Sequence, residues 1–289
     1  MMSGSLLVQN IIKIRENRSI LDNISFEIHP NESLGIFARS GQGKTILSKT
    51  ITGLVKINSG KITINGYDIH QNFEKAICKT GSVVDSPKFY EELTACQNLL
   101  LTANLYGDIP HRRAWEMLEL TELQKNKDHK VKSFTPAMKC RLAVARAMIN
   151  YPWLLILDDP TRELDMQESL NVSHLLKQIR ANYSVSMLIL SKSKEFLLKT
   201  CTDMLCMENG KVFSFSHDKK SFDFAQIIDI YSVQKAQITK ILYSIPCVSE
   251  IQPKEFGLRI KVEKDESKRI LDTLLANKVS IDYFLPSER

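Results

Sequence analysis

No stretch of the 289-residue chain approaches the roughly 18 consecutive apolar residues that a membrane-spanning helix needs, so the chain is not expected to cross a membrane alone. Its opening residues, MMSGSLLVQNIIKIRE, lack the charged-then-apolar pattern of an export leader, and none is expected there. The six cysteines (Cys78, Cys96, Cys140, Cys201, Cys206 and Cys247) include no CxxC pair. A disulfide framework or a zinc site needs tighter grouping, so reduced thiols of a cytosolic protein are the expectation. The six histidines are equally dispersed, with no HExxH or similar ligand pair, and no structural metal is assigned. Repeats and low-complexity segments are absent. An excess of one charge is scarce too: Lys and Arg at 39 against Asp and Glu at 33 leave +6. That balance suits nucleic acid or an anionic membrane surface and specifies neither.

What is present describes a folded protein. Hydrophobic residues make up 43% and charged residues 25%, ordinary for a globular chain, and the length suggests about two domains. Residues 6 to 38 read as three strands, LLVQNIIKI, ILDNISFEIH and SLGIFA, with a turn at His29-Pro30-Asn31. A glycine-containing loop then opens into a helix from about Thr45. KITINGYDI carries Asn65-Gly66 between β-type runs, a hairpin signal. Residues 94 to 150 lose strand character, and TACQNLLLTANLYG, HRRAWEMLELTEL and PAMKCRLAVARAM show helical spacing. LLILDD and SVSMLIL are short apolar runs of buried-strand type on either side of a helix over 166 to 180. The expected fold is α/β, a parallel-sheet core with an antiparallel β subdomain and a helical insertion at about 88–150. SHDKKS lies within an expected linker at 216–222. Beyond it, over 223–289, the order βαββαβ predicts a small α+β domain of ferredoxin-like type.

Chemistry concentrates at Ala38-Arg39-Ser40-Gly41-Gln42-Gly43-Lys44-Thr45, between a buried strand and a helix. A phosphate-binding loop needs small residues so that backbone N–H groups can close around phosphate oxygens. It also needs a lysine for the β/γ charge and a hydroxyl for Mg²⁺. Gly41, Gly43, Lys44 and Thr45 meet these demands, and the helix N-terminus adds partial positive charge. The strict GxxxxGK[ST] pattern is missed only at Ala38, where alanine would cost on the order of 1 kcal/mol if positive φ were required. A plain glycine-rich turn is the bland alternative, and the strand–loop–helix context disfavours it. LLILDDP ends a hydrophobic strand in two acids. Alone it reads equally well as an acidic helix N-cap. Paired with the loop it reads as a site where Asp158 joins the Mg²⁺ shell and Asp159 faces the attacking water.

Over residues 6 to 215 the chain resembles the nucleotide-binding subunit of an ATP-binding-cassette transporter. The resemblance rests on ILDNISFEI before the loop, SGKITINGYDI after it, and RLAVARAMINYPWLLILDDPTRELD. GSVVDSPKFYEELTACQNL resembles the bacitracin- and lantibiotic-resistance exporter branch, in which the Q-loop Gln is commonly an acid followed by a proline and an aromatic pair. Asp85, Pro87, Phe89 and Tyr90 occupy those places. The resemblance implies Mg-ATP as ligand, with Thr45, Asp158 and Asp85 toward Mg²⁺ and Arg15 at the adenine-stacking position. It also implies multi-span permease subunits and a second nucleotide-binding subunit as partners, at the cytoplasmic face of the membrane. Phe89 and Tyr90 fall where membrane partners dock, though ordinary core packing explains them equally well.

Departures from the family pattern fall on functional positions. The signature loop, normally Ser-Gly-Gly, reads Thr135-Pro136-Ala137-Met138 after Phe134; Pro136 has no N–H and Ala137 blocks the tightest approach. The general-base Glu is Asp159, one methylene shorter. The switch histidine is replaced within Ser191-Lys192-Ser193, where neither Lys192 nor Ser193 reproduces a neutral imidazole. Arg162-Glu163 precede Leu164 and Asp165 in the D-loop. Arginine at 15 still offers a planar group to adenine. The expectation is a subunit that binds Mg-ATP and hydrolyses it slowly, in a mixed pair with a competent cassette, exporting a peptide or peptide antibiotic. A homodimer and a nucleotide sensor not engaged in transport remain the alternatives. A nucleic-acid role ranks well behind, because no recognition motif accompanies the charge. The basic run from Lys125 to Lys132 reads as a solvated face, with a lipid-headgroup contact as its alternative.

Overall fold

The structure is a computed structural model, and it describes residues 6–214, 226–232, 234–243, 245, 248–254, 257–262, 267–277, 279, 281 and 283–286. Two compact units meet in sequence at residues 215 and 216, and each is described by itself. The segment at 216–222, read as a linker, lies outside the described residues.

In the first unit, β1 (Leu6–Arg15) and β2 (Arg18–Ile28) form a long hairpin. The turn at His29-Pro30-Asn31 follows, with Asn31 at φ 63°, and leads into β3 (Ser33–Phe37), every residue of which is buried. After the phosphate loop come α1 (Lys44–Ile51), β4 (Ser59–Ile64), β5 (Tyr67–Asp68), α2 (Phe73–Ile77) and β6 (Thr80–Val83). The β4–β5 connection is Asn65-Gly66 at φ 50° and 84°, the two positive values that a two-residue hairpin turn demands. Next are α3 (Ala95–Leu105), α4 (Arg112–Leu120) and α5 (Pro136–Ala147), which form the helical insertion. The start of α3 is fixed by a reciprocal cap: Thr94 Oγ1 accepts from the Gln97 N–H, and Gln97 Oε1 accepts from the Thr94 N–H. The unit closes with β7 (Leu154–Asp158), α6 (Met166–Tyr183), β8 (Ser186–Ser191), α7 (Lys194–Thr200), β9 (Asp203–Glu208) and β10 (Lys211–Ser214).

Two sheets result. One is antiparallel, in the order β2-β1-β4-β5; the other has the order β10-β9-β3-β8-β7-β6, parallel from β9 to β6. The central strands β3, β7 and β8 are buried along their whole length, which is why they read as unbroken apolar runs. Leu47 and Ile51 seat α1 on a core that includes Ile36, Ile156, Leu188 and Leu190. Because the strands are parallel, β3, β6, β7 and β8 all deliver their C-terminal ends to one edge, where a doubly covered sheet opens its crevice.

The second unit runs β11 (Gln226–Tyr231), α8 (Lys235–Tyr243), β12 (Val248–Lys254), β13 (Gly257–Val262), α9 (Ser267–Ala276) and β14 (Tyr283–Pro286). Its antiparallel sheet has the order β12-β13-β11-β14, the ferredoxin-like arrangement. Ile228, Ile230 and Ile260 of the sheet pack with Ile238, Leu242, Ile270 and Leu274 of the helices. No helix among the described residues is long and apolar enough to cross a membrane.

Gly81 of β6 faces the end of α5 with little space between them. A Cβ built on Gly81 would stand 2.0 Å from the Ala147 carbonyl oxygen, a backbone atom that cannot yield. Gly81→Ala is therefore expected to destabilise the chain by about 3 kcal/mol, read as a lowered urea midpoint. An unchanged midpoint would show that the two segments can separate freely.

Candidate functional site

The phosphate loop is held from both sides. Ala38 is buried, and its N–H donates to the Ser191 carbonyl (3.1 Å), extending the β3–β8 ladder by one residue. Ala38 does not take a positive φ, so the anticipated alanine penalty does not arise. Gly41 (φ 81°) and Gly43 (φ 101°) carry the left-handed turns instead, and Gly43 is the N-cap of α1. A Cβ on Gly43 would crowd the Ile20 carbonyl oxygen at 3.0 Å, and the positive φ already favours glycine there. Gln42 Oε1 accepts from the Asn209 N–H (2.6 Å), tying the loop to the β9–β10 turn.

Lys44 is buried and donates to the carbonyls of Ala38 (2.5 Å) and Arg39 (2.9 Å). Burial lowers its pKa from the ordinary lysine value; the carboxylates of Asp159 and Asp158 oppose that shift, and the cations of Arg162 and Lys192 add to it. The loop opens on a cleft of about 540 Å³ whose walls include Ser40, Thr45, Lys44, Asp159, Arg162 and Lys192. Ile20 also lines it, from β2. Arg15 does not: at the hairpin end it is exposed and pairs with its neighbour Glu16 (3.4 Å).

Asp158, the last residue of β7, is 2% exposed, and neither carboxylate oxygen has a hydrogen-bond partner among the described residues. Burial raises its pKa. The Thr45 hydroxyl, the Arg162 charge and the Asp85 backbone N–H face it and favour the ionised form, but none closes a hydrogen bond. A buried carboxyl left in this way is costly, and a cation beside the Thr45 hydroxyl would satisfy it. These two residues fit Mg²⁺. Asp85 does not join them: its carboxylate bonds Lys49 (2.5 Å), and that bond is the first cause holding its pKa below the ordinary value. Among the described residues no three His, Cys, Asp or Glu side chains converge.

Asp159 is turned into the strand ends. Its Oδ1 accepts from Ser191 Oγ (3.3 Å) and from the Lys192 N–H (3.4 Å), while Oδ2 faces Arg162 Nε at 3.7 Å. Its φ of 50° is left-handed, a conformation that aspartate tolerates better than most residues. Ser193 is engaged elsewhere, its hydroxyl capping α7 by accepting from the Phe196 N–H (3.2 Å). Lys192 lines the cleft; Ser193 does not. The role of Arg162 was legible only as a departure from the D-loop pattern, although its spacing of three from Asp159 permits the contact.

Thr135, Pro136, Ala137 and Met138 begin α5 and stand apart from the phosphate loop. Thr135 is the N-cap, its Oγ1 accepting from the Met138 N–H (3.2 Å), and Pro136 fills the first helical position, where its missing N–H costs the helix nothing. The cap engages the Met138 N–H, and Pro136 brings no N–H of its own to the helix start. Phe134 and Pro136 line a second cleft of about 300 Å³, which Asp159 and Arg162 separate from the first. Nearby, the Phe89 ring lies under the Arg146 guanidinium (4.6 Å to the centroid), whereas Tyr90 is exposed. In the basic run, Lys130 and Lys132 pair with Glu92, and Lys127 sits over Trp115. Asp158→Asn relieves the unpartnered buried charge, so the nucleotide-free protein is expected to gain about 1 kcal/mol, a melting temperature about 2–4 °C higher. A lower melting temperature would mean that Asp158 is stabilised by contacts absent from this account.

Residues 21–162 match the family described as ABC transporter. The bacitracin transport ATP-binding protein BcrA of Bacillus licheniformis is 30% identical over 222 residues, covering 76% of this chain and 72% of that protein. The linearmycin resistance ATP-binding protein LnrL of Bacillus subtilis is 28% identical over 280 residues, covering 94% of this chain and 89% of that protein. Among solved structures, cbiO1 from Clostridium perfringens, part of the ABC transporter complex cbiONQ, superposes with a TM-score of 0.69 at 21% identity over 84% of this chain and 96% of that one, a likeness of fold. Sequence relatives and fold agree with the loop and strand-end carboxylates described above: the chain belongs to the ABC transporter family, as an ATP-binding subunit.

Proposed function

We propose that this subunit binds Mg-ATP, turns it over slowly, and works beside a second, catalytically competent cassette beneath permease subunits at the cytoplasmic face of the membrane. Antibiotic export is the transport role that the names of BcrA and LnrL support, with a peptide antibiotic the cargo expected from sequence. Thr45 and Asp158 would hold Mg²⁺, which supplies positive charge against the β- and γ-phosphate oxygens.

The observation that carries the slow-turnover reading is the engagement of Asp159. A general base must reach its water within about 3 Å. The Asp159 carboxylate is instead drawn toward Ser191, Lys192 and Arg162, on a side chain one methylene shorter than glutamate. Across a cassette dimer, the proline-capped start of α5 would offer a partner's nucleotide few donors, which favours a mixed pair with unequal sites. The exposed Tyr90, Leu101, Leu105 and Tyr106 leave apolar surface on and around α3, and this favours docking to membrane subunits over a free-standing sensor.

Loss of a general base typically costs 10²–10⁴-fold in rate, so ATPase of the purified chain is expected to fall about 100-fold or more below that of an intact cassette. Asp159→Glu alone should not restore it, because the switch histidine and the signature donors are also missing. Co-purification with a permease and a second cassette, followed by ATPase assay of the assembly, tests the pairing. Brisk turnover by a homodimer of this chain would overturn it.

A further inference from the structure

The cationic wall of the cleft exceeds what a phosphate loop alone supplies. Lys44, Arg162 and Lys192 face one space, and Asp159 is the single carboxylate among its lining residues. Arg162 comes from the loop after β7 and Lys192 from the end of β8, so two strand ends independently bring positive charge to the mouth of the loop. Neither cation is fully engaged. Arg162 Nε stands 3.7 Å from Asp159 Oδ2, beyond hydrogen-bond length, and its guanidinium has five N–H donors in all. Lys192 is exposed, and its ammonium enters no ion pair among the described residues. Lys44 donates to two backbone carbonyls that it can exchange for phosphate oxygens. Like charges gathered around one cavity repel, and an anion with several acceptor oxygens is the ligand that relieves them.

We propose that Arg162 and Lys192 are phosphate-binding residues that, together with Lys44, grip the terminal phosphate of this chain's own ATP and make the site select triphosphate over diphosphate. The inference rests on the reading of the cleft as the ATP site and deepens it. It assigns the replaced switch position and the altered D-loop a task of their own: they retain nucleotide where the ordinary residues would help to cleave it. Arg162 has two partners to choose between. It leans toward Asp159 here, and toward a bound triphosphate its fork would turn to the γ-phosphate oxygens, for which a planar, bidentate donor is suited.

Equilibrium binding of Mg-ATP and Mg-ADP to the purified full chain separates this role from general electrostatics. A charged hydrogen bond lost in Arg162→Ala or in Lys192→Ala should weaken ATP binding about tenfold, while ADP binding changes by less than about threefold. Arg162→Lys should fall between, keeping the charge and losing the fork. Melting curves confirm that each variant is folded, and the exposed Lys192 serves as the second probe should Arg162→Ala disturb the D-loop. An ATP-to-ADP affinity ratio that is unchanged in both alanine variants would overturn the proposal, as would an equal loss for the two nucleotides. Failure of the unaltered chain to bind either nucleotide would overturn the underlying reading of the cleft instead, so the two failures are distinguishable.

Discussion

The carboxyl of Asp158, buried at the end of β7 with neither oxygen bonded, sets the terms for the rest of the site. Burial of this kind opposes ionisation and weakens the nucleotide-free fold. It persists because the same strand end places the carboxyl beside the Thr45 hydroxyl, beneath a loop built to receive phosphate. The parallel sheet produces this juxtaposition. β3 ends in the loop, β7 in the two acids and β8 in Ser191, and the buried apolar length of these strands fixes the three ends at one edge. Stability is given up locally at a place where, on the proposed reading, a cation and a polyphosphate would complete the structure.

On the proposed reading, the cassette around that centre divides binding from chemistry. Loop, helix N-terminus and Lys44 keep the geometry that phosphate needs, and a side chain on Gly43 would crowd the Ile20 carbonyl. The residues at the positions read as hydrolytic make other contacts here. Asp159 is held by its neighbours, Ser193 caps a helix, Thr135 caps another, and Asp85 pairs with Lys49. Each of these contacts is ordinary as structure; on the proposed reading, together they would leave a bound nucleotide surrounded by charge and short of a base.

Much of this was legible in the chain itself. The buried strands announced themselves as apolar runs, the Asn65-Gly66 turn by its dipeptide, and the loop by two glycines followed by Lys44 and Thr45. The cost assigned to Ala38 was not real, because a strand-like residue there needs no left-handed backbone, and spacing alone does not reveal φ. Arg15 aligned with the adenine-stacking position, yet the hairpin carries it to Glu16 and leaves Ile20 at the cleft. Contacts made by rotamer choice were invisible in sequence: the turn of Asp159 toward Ser191, the bond between Lys49 and Asp85, and the stand of Arg162 between two cavities. Those depend on three-dimensional neighbours separated by tens of residues, which no local pattern encodes.

On the proposed reading this chain holds ATP and consumes it only slowly. Incubating the purified protein with Mg²⁺ and ATP labelled on the α-phosphate, then isolating the protein-bound nucleotide and separating its phosphorylated forms, tests that claim directly. Retained nucleotide that is still mostly triphosphate after many turnover times of an intact cassette is the predicted result. Bound nucleotide converted to diphosphate at the pace of an intact cassette would contradict it.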